Sequence, residues 1–250
     1  MAIGTLIALA VLQTQPLGPR KVAVDTRKIA DYVRMLRVPS AREPARYQIR
    51  RLPATGLIQV TVSPSAQFLV APDSREVVDF IDYSVPALAA GPAQAKSQGA
   101  PALPEAVSRT IEGWLKPPAS YRRTERRAVS GAQTEFTVLY REPMPYKAYD
   151  YYNYASYVYR SDLKRVTSFR RVTDVVFSGA KVGVSASEAA RAAAGFKYVG
   201  LGYAHPGGAA TFGPKRLRLT HVFEAGRERR FVDALTGRLV KSTDIPAKRM

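Results

Sequence analysis

Of the 250 residues, 46% are hydrophobic and 23% charged, a globular balance that excludes a chain disordered throughout. The 38 Lys and Arg against 20 Asp and Glu leave a net charge of +18, which attracts polyanions such as nucleic acid, anionic lipid or acidic wall polymer, unless it merely reflects arginine-rich codon usage. No cysteine is present, which excludes disulfides, thiol catalysis and cysteine-ligated zinc and fits both the cytoplasm and an exported protein that folds without disulfides.

Residues 1–20 contain an apolar run (3–12) too short to span a bilayer but of the length of a signal-peptide core, although no Lys or Arg precedes it. This segment is read as a signal or N-terminal apolar piece, with a buried first strand as the alternative. An extracytoplasmic location follows from the first reading and a cytoplasmic one from the second. No transmembrane anchor is expected.

From residue 21 the spacing predicts a helix over "DTRKIADYVRML", with Ile29, Tyr32, Val33 and Leu36 on one face behind an Asp25 or Thr26 cap. Strands follow at "YQIRRL" and "LIQVTVS", and a hairpin spans residues 68–80. Residues 21–84 make a first unit. Residues 85–102, rich in Ala, Pro and Gly without helix or strand period, make a linker. A second unit covers residues 103–175. It has a helix with Leu103, Val107, Ile111, Trp114 and Leu115 on one face, strands at "YRRTERRAVS" and "TEFTVLYRE", and a hairpin at 157–169. The third covers residues 184–245. Ser185 or Ser187 caps a helix that Gly195 stops, strands follow at "KYVGLGYA" and "RLRLTHVFE", and a hairpin closes at 230–242.

The three hairpins align without gaps, matching Val70, Tyr159 and Val232, and also Val77, Val166 and Leu239. Gly237 supplies a positive φ in the third, while Arg75 and Lys164 stand nearby in the others, so the turns are expected to differ in type. An amphipathic helix cannot bury its stripe alone. The expected fold is therefore α+β, each unit a helix packed on a three- to four-stranded antiparallel sheet, with the second and third units packed together.

The third unit, "SASEAARAAAG…LRLTHVFEAGRERRFVDALTGRLV", resembles the PepSY and PepSY-like repeat of bacterial exported proteins, clearest in residues 185–242. The family pattern is an Ala-rich helix, then strands, then an aromatic-Val-Asp-Ala-x-Thr-Gly ending, here placing Asp233, Thr236 and Gly237 in the motif. The resemblance implies a cystatin-like fold, an exported or wall-associated location, and a binding or peptidase-restraining role, with a protease or cell-envelope component as partner.

Read by themselves, the residues show no catalytic constellation, and no cofactor or metal is expected. His205 and His221 lack metal-ligand spacing, and His221 is expected beside a polar cross-strand neighbour. Asp73, Glu76, Asp79 and Asp82 read as a solvated sheet face offsetting nearby arginines. Asp233 reads as a turn organiser that accepts from backbone N–H groups. Arg227, Arg229 and Arg230 read as solvated at a hairpin tip. The basic run Arg122, Arg123, Arg126 and Arg127 alternates on a strand, Arg122 and Arg126 on one face and Arg123 and Arg127 on the other, neither face apolar, as on an edge strand. Eight of the 14 tyrosines lie between residues 140 and 159. Among them Tyr149 and Tyr151 share one parity and Tyr152 and Tyr154 the other, so a loop tip or bulge is expected between them. Together the arginines and these four tyrosines form the candidate binding surface, with an anionic polymer as the alternative partner; the tyrosines are equally compatible with sheet pairing.

Overall fold

The computed structural model describes residues 24–53, 55–72, 75–88, 102–149, 151–206 and 215–245. The apolar run at 3–12 and most of the linker lie outside them. The helices are α1 (Thr26–Met35), α2 (Glu105–Leu115) and α3 (Ala186–Ala189), the last continued by a 3-10 turn over Ala190–Ala193. The strands are β1 (Gln48–Arg51), β2 (Ile58–Thr61), β3 (Ala66–Val70), β4 (Val77–Asp82), β5 (Arg122–Ser130), β6 (Gln133–Arg141) and β7 (Lys147–Ala148). They continue with β8 (Tyr154–Arg160), β9 (Arg165–Val172), β10 (Val175–Phe177), β11 (Lys197–Ala204), β12 (Lys215–Ala225), β13 (Glu228–Asp233) and β14 (Leu239–Asp244). The class is α+β.

Local chemistry sets the helix ends. Asp25 caps α1 by accepting from the backbone N–H of Arg27 and Lys28 at 3.1 and 3.2 Å. At the other end Val38 N–H donates to the Val33 carbonyl and Arg37 N–H to that of Arg34, a full Schellman ending with Arg37, at φ 51°, in the position glycine usually fills. A reciprocal capping box of Ser185 and Glu188 opens α3.

The strands form two sheets. In the larger the order is β1-β2-β3-β4-β9-β8-β6-β5, antiparallel throughout. The strands after α1 and those after α2 thus belong to a single sheet, joined where β4 meets β9 with Phe80 directly opposite Phe169. Phe68, Phe80, Val138 and Tyr157 are fully buried against Ile29, Val33 and Leu36 of α1 and Ile111 and Leu115 of α2, so both helices cover the same face. Tyr32 meets Trp114 edge-on at 4.8 Å between the helices, and Phe80 lies 5.7 Å from Phe169 beneath them. Each such side chain stabilises the fold by about 1.5–3 kcal/mol through burial.

The smaller sheet runs β14-β13-β12-β11-β7, with β10 parallel to the start of β12. Ala189 and Ala193 of the third helical segment pack on Phe223 and Val232. The segment between β6 and β8 crosses to this sheet: β7 pairs with β11, and Tyr146, Ala148 and Tyr151 pack beside Tyr203 and Leu217. Residues 103–175 therefore share a sheet with the first strands, and dock on the third set through this excursion and through the run from β9 into β10, where Val172 and Val175 join the same cluster; the expected packing of the second and third units is confined to these two segments.

The hairpin turns share a conformation at one position: Arg75, Lys164 and Gly237 are aligned at φ 55°, 50° and 68°, and each hairpin slips register at the matched site, between Leu69 and Val70, Val158 and Tyr159, and Phe231 and Val232. They differ in the closing bond, since the N–H groups of Arg75 and Gly237 donate four residues back, to Ala71 and Asp233, and that of Lys164 three back, to Ser161. One further expectation changes: Asp79 and Asp82 do not face solvent. Both are buried, paired with Arg170 at 2.5 Å and Arg165 at 2.6 Å across the β4–β9 junction. Asp73 lies outside the described residues, and Glu76 pairs with Lys28 at 3.4 Å.

The left-handed turn position gives a measurable contrast. A side chain costs roughly 1–2 kcal/mol there and glycine almost nothing, less the extra chain entropy glycine loses. Gly237→Ala, whose Cβ would meet only Val184 methyls at ordinary distance, is expected to cost about 1 kcal/mol. Arg75→Gly is expected to gain up to about 1 kcal/mol. Urea denaturation of the two variants should shift the midpoint in opposite directions; shifts of the same sign would contradict this account.

Candidate functional site

Strand β5 is one edge of the larger sheet and all four of its arginines are exposed. Register divides them. Arg123 lies opposite Tyr140 and Arg127 opposite Phe136, both buried beneath the helices, so these two arginines stand on the helix-covered side. Arg122 lies opposite Arg141, which lies opposite Tyr154, and Arg126 lies opposite Thr137, in line with Val158. Arg122, Arg126, Arg141 and Tyr154 therefore share the face that neither helix covers.

On the covered side the polar groups are used in packing. Arg123 pairs with Glu125 at 2.8 Å and donates to the Tyr140 hydroxyl at 3.2 Å. Tyr140 donates to Glu112 of α2, and the Ser108 hydroxyl bonds that of Tyr157 at 2.7 Å and donates to Glu112 at 2.8 Å. Burial pushes both tyrosine hydroxyls up from their ordinary pKa, and for Tyr140 the bond to Glu112 adds to it. These groups tie α2 to β6 and β8. The Arg127 guanidinium lies 5.7 Å from the Phe136 ring centre.

The helix-free face carries a different set. The Arg141 guanidinium lies 4.6 Å above the ring of Tyr152 and donates to its hydroxyl at 3.2 Å, and Tyr152 lies 5.1 Å from Tyr154. Among the described residues no carboxylate lies within ion-pair range of Arg122, Arg126 or Arg141. Farther across the face the surface is polar but already paired. Arg50 donates to Gln59 at 2.5 Å, Gln59 to Gln67, and Gln67 to the Tyr83 hydroxyl at 2.7 Å. Arg170 is held by Asp79.

The tyrosine run is split between the two sheets. Tyr149 and Tyr151 leave the candidate surface. Tyr149 is half-buried on β11, edge-on to Phe231 at 5.2 Å, with the Arg229 guanidinium and the Lys147 ammonium 4.6 and 4.7 Å from its ring. Its ring occupies the space a side chain at Gly202 would need. Burial, opposed by Arg229, pushes its hydroxyl pKa up. Tyr151 packs beside Tyr203 and Leu217, with Lys215 at 4.2 Å. So Arg122, Arg126, Tyr152 and Tyr154 come together, and Arg123, Arg127, Tyr149 and Tyr151 do not join them. Arg141 was missed. The signal was present: a two-residue turn at Gly131–Ala132 pairs Ser130 with Gln133 and so puts Arg122 opposite Arg141.

The remaining residues singled out by sequence are structural here. Asp233 Oδ1 accepts from the N–H groups of Leu235 and Thr236, both at 2.9 Å, and Gly237 N–H donates to its carbonyl. His221 lies between the apolar Leu201 and Val232 rather than a polar neighbour; its Nε2 donates to the Val184 carbonyl at 2.8 Å. Arg229 and Arg230 are not simply solvated: Arg229 pairs with Glu224 at 2.5 Å, and Arg230 lies over Phe196 at 4.0 Å. Among the described residues no three His, Asp or Glu side chains gather as a metal set, and no helix is long and apolar enough to cross a membrane.

No protein-family model matches the chain, and no curated protein matches it. Among solved structures, the Bacillus megaterium YpeB C-terminal domain is similar over 88% of this chain and 96% of that one, at 12% identity and a TM-score of 0.31. A superposition that loose carries no argument about function.

Proposed function

We propose that this chain is a non-catalytic, exported binding module of three PepSY-like copies, and that the helix-free face of the larger sheet is its contact surface. The carrying observation is that Arg122, Arg126 and Arg141 stand without carboxylate partners among the described residues, beside Tyr152 and Tyr154 on that face. Guanidinium groups so placed next to half-exposed rings fit an anionic polymer, through charge along the backbone and stacking or cation–π contact at the rings. The repeat reading is supported by the three aligned hairpins with matching register slips and left-handed turn residues, each after a helix and earlier strands. Its PepSY-like character and a protease or cell-envelope component as partner rest on the sequence resemblance. A non-catalytic role is supported by the use of Glu112, Tyr140, Ser108 and Tyr157 in holding α2 to the sheet.

The test is the salt dependence of binding to oligo(dT) of about 20 nucleotides and to poly-L-glutamate. With three cations engaged, the log–log slope for the oligonucleotide is expected near −2. Arg122→Ala combined with Arg126→Ala should flatten it to about −0.7, while Arg127→Ala, on the opposite face, should leave it unchanged. Affinity indifferent to salt, or equal losses from both faces, sinks the reading.

A further inference from the structure

Of the strands that end the two sheets, β1, β7 and β14 have four, two and six residues, and β5 has nine. Shortness and bulges protect a sheet edge from added strands. β5 has neither: its register with β6 runs from Arg122 to Ser130 without a slip.

The turn decides which backbone groups of β5 face outward. The two-residue loop Gly131–Ala132 makes Ser130 and Gln133 a hydrogen-bonded pair, so the bonded pairs above it are Ala128–Glu135, Arg126–Thr137, Thr124–Leu139 and Arg122–Arg141. Two bonds agree with that phase. The Thr124 hydroxyl donates to the Leu139 carbonyl at 3.3 Å on the β5 side, and the Thr134 carbonyl accepts from Ser161 N–H at 2.9 Å on the β8 side. The N–H and C=O groups of Arg123, Glu125, Arg127 and Val129 therefore point away from β6. Among the described residues none of them has a hydrogen-bond partner.

Charge narrows what can complete that row. β5 carries four arginines and one glutamate, all exposed. Arg123 is taken by Glu125 at 2.8 Å, while Arg122, Arg126 and Arg127 have no carboxylate within ion-pair range among the described residues. Arg122 and Arg126 stand on one face of the sheet and Arg127 on the other, so the edge is cationic on both. Opposite charges across neighbouring strands stabilise pairing and like charges oppose it. A second copy of β5 would add positive charge, whereas an acidic strand removes it.

We propose that the edge of β5 binds an extended acidic peptide as an added antiparallel strand, with carboxylates opposite Arg122, Arg126 and Arg127. The backbone ladder supplies affinity and the arginines select the partner. The peptide lies along the edge rather than across the helix-free face, so this site stands apart from the polymer contact although Arg122 and Arg126 serve both.

The probe is the end-capped, fluorescently labelled peptide Thr-Glu-Glu-Thr-Val-Thr-Glu-Thr, whose glutamates fall opposite Arg127, Arg126 and Arg122. Its anisotropy is followed with the full chain at about 0.15 M salt, where attraction between exposed charges is screened. Saturable binding is expected. An isomer N-methylated opposite Arg123, Glu125 and Arg127 loses the N–H groups that face β5 and should bind at least about tenfold more weakly. An isomer of equal charge, N-methylated opposite Arg122, Thr124 and Arg126, keeps them and should bind like the parent. In the free chain the amides of Arg123, Glu125 and Arg127 should exchange fast and those of Thr124 and Arg126 slowly, and the peptide should slow the first three. Arg127→Ala should weaken the peptide about threefold without changing the oligonucleotide slope. Arg216→Ala, an equal loss of charge on an exposed position of the smaller sheet, should change neither. Equal binding by the two isomers, or no saturation, overturns the added strand and leaves the polymer contact standing. Slow exchange at Arg123, Glu125 and Arg127 in the free chain overturns it too, since the edge would already be covered. An oligonucleotide affinity indifferent to salt, with the isomer contrast intact, sinks the polymer contact alone.

Discussion

Gly202→Ala is expected to destabilise the protein by about 2 kcal/mol, within the 1–3 kcal/mol typical of overpacking a well-filled site. A Cβ at Gly202 would meet the ring of Tyr149 within contact distance and stand 3.0 Å from the Lys147 carbonyl oxygen. Neither obstacle yields easily. The ring is fixed edge-on to Phe231 and flanked by Lys147 and Arg229, and the carbonyl belongs to β7, whose two residues pair with Gly202 and Tyr203. The added methyl therefore forces a choice between expelling the ring and lifting β7 from the sheet. Tyr149→Ala should lower the cost of the glycine substitution, giving a coupling of at least about 1 kcal/mol in a double-mutant cycle read by urea denaturation. Additive effects of the two substitutions would show that the ring does not set the requirement for glycine.

A larger loss, about 3–5 kcal/mol, is expected from Asp82→Ala. The Asp82 side chain is fully buried and that of Arg165 is 9% exposed, so removing the carboxylate strands a buried guanidinium. It also removes the acceptor for the Ser84 N–H and hydroxyl, at 2.9 and 2.6 Å. Burial by itself pushes the Asp82 carboxyl up, but the Ser84 and Arg165 hydrogen bonds outweigh it and hold it below its ordinary value. The sign follows: a carboxylate depressed in the folded state adds stability that is complete above its unfolded pKa of about 3.9 and is lost as pH falls through the folded value. Below pH 4 the wild type should therefore lose stability more steeply than Asp82→Ala. Parallel acid profiles would remove this pair from the account.

The helices and hairpins were legible because each is fixed by near neighbours: a cap and a stripe for α1, alternation about a turn for β3–β4 and β8–β9. The junction between β4 and β9 was not, since it joins Asp79 to Arg170, 91 residues apart, and nothing local marks which edge meets which. That same distance hid the burial of Asp79 and Asp82, which on their own strand look like a polar fringe. On β5 the alternation separated Arg122 and Arg126 from Arg123 and Arg127, yet could not say which pair shared its face with the helices. The tyrosine run gave a change of parity between Tyr151 and Tyr152 and no sign that the chain changes sheets there. Which rings remain on the helix-free face is decided by the docking of β7 on β11, a tertiary event.

The pairing at that junction also bears on self-association. Phe80 and Phe169 occupy corresponding places in their aligned hairpins, as do Asp79 with Ser168 and Ile81 with Arg170. Two copies of the β4 edge meeting about Phe80 in the same register would set Asp79 against Ile81, and two copies of the β9 edge would set Ser168 against Arg170. Only the mixed pairing brings an acid opposite a base. The edge that would otherwise be self-complementary is thus made selective for the other hairpin's edge, which disfavours β4–β4 and β9–β9 pairing between neighbouring molecules.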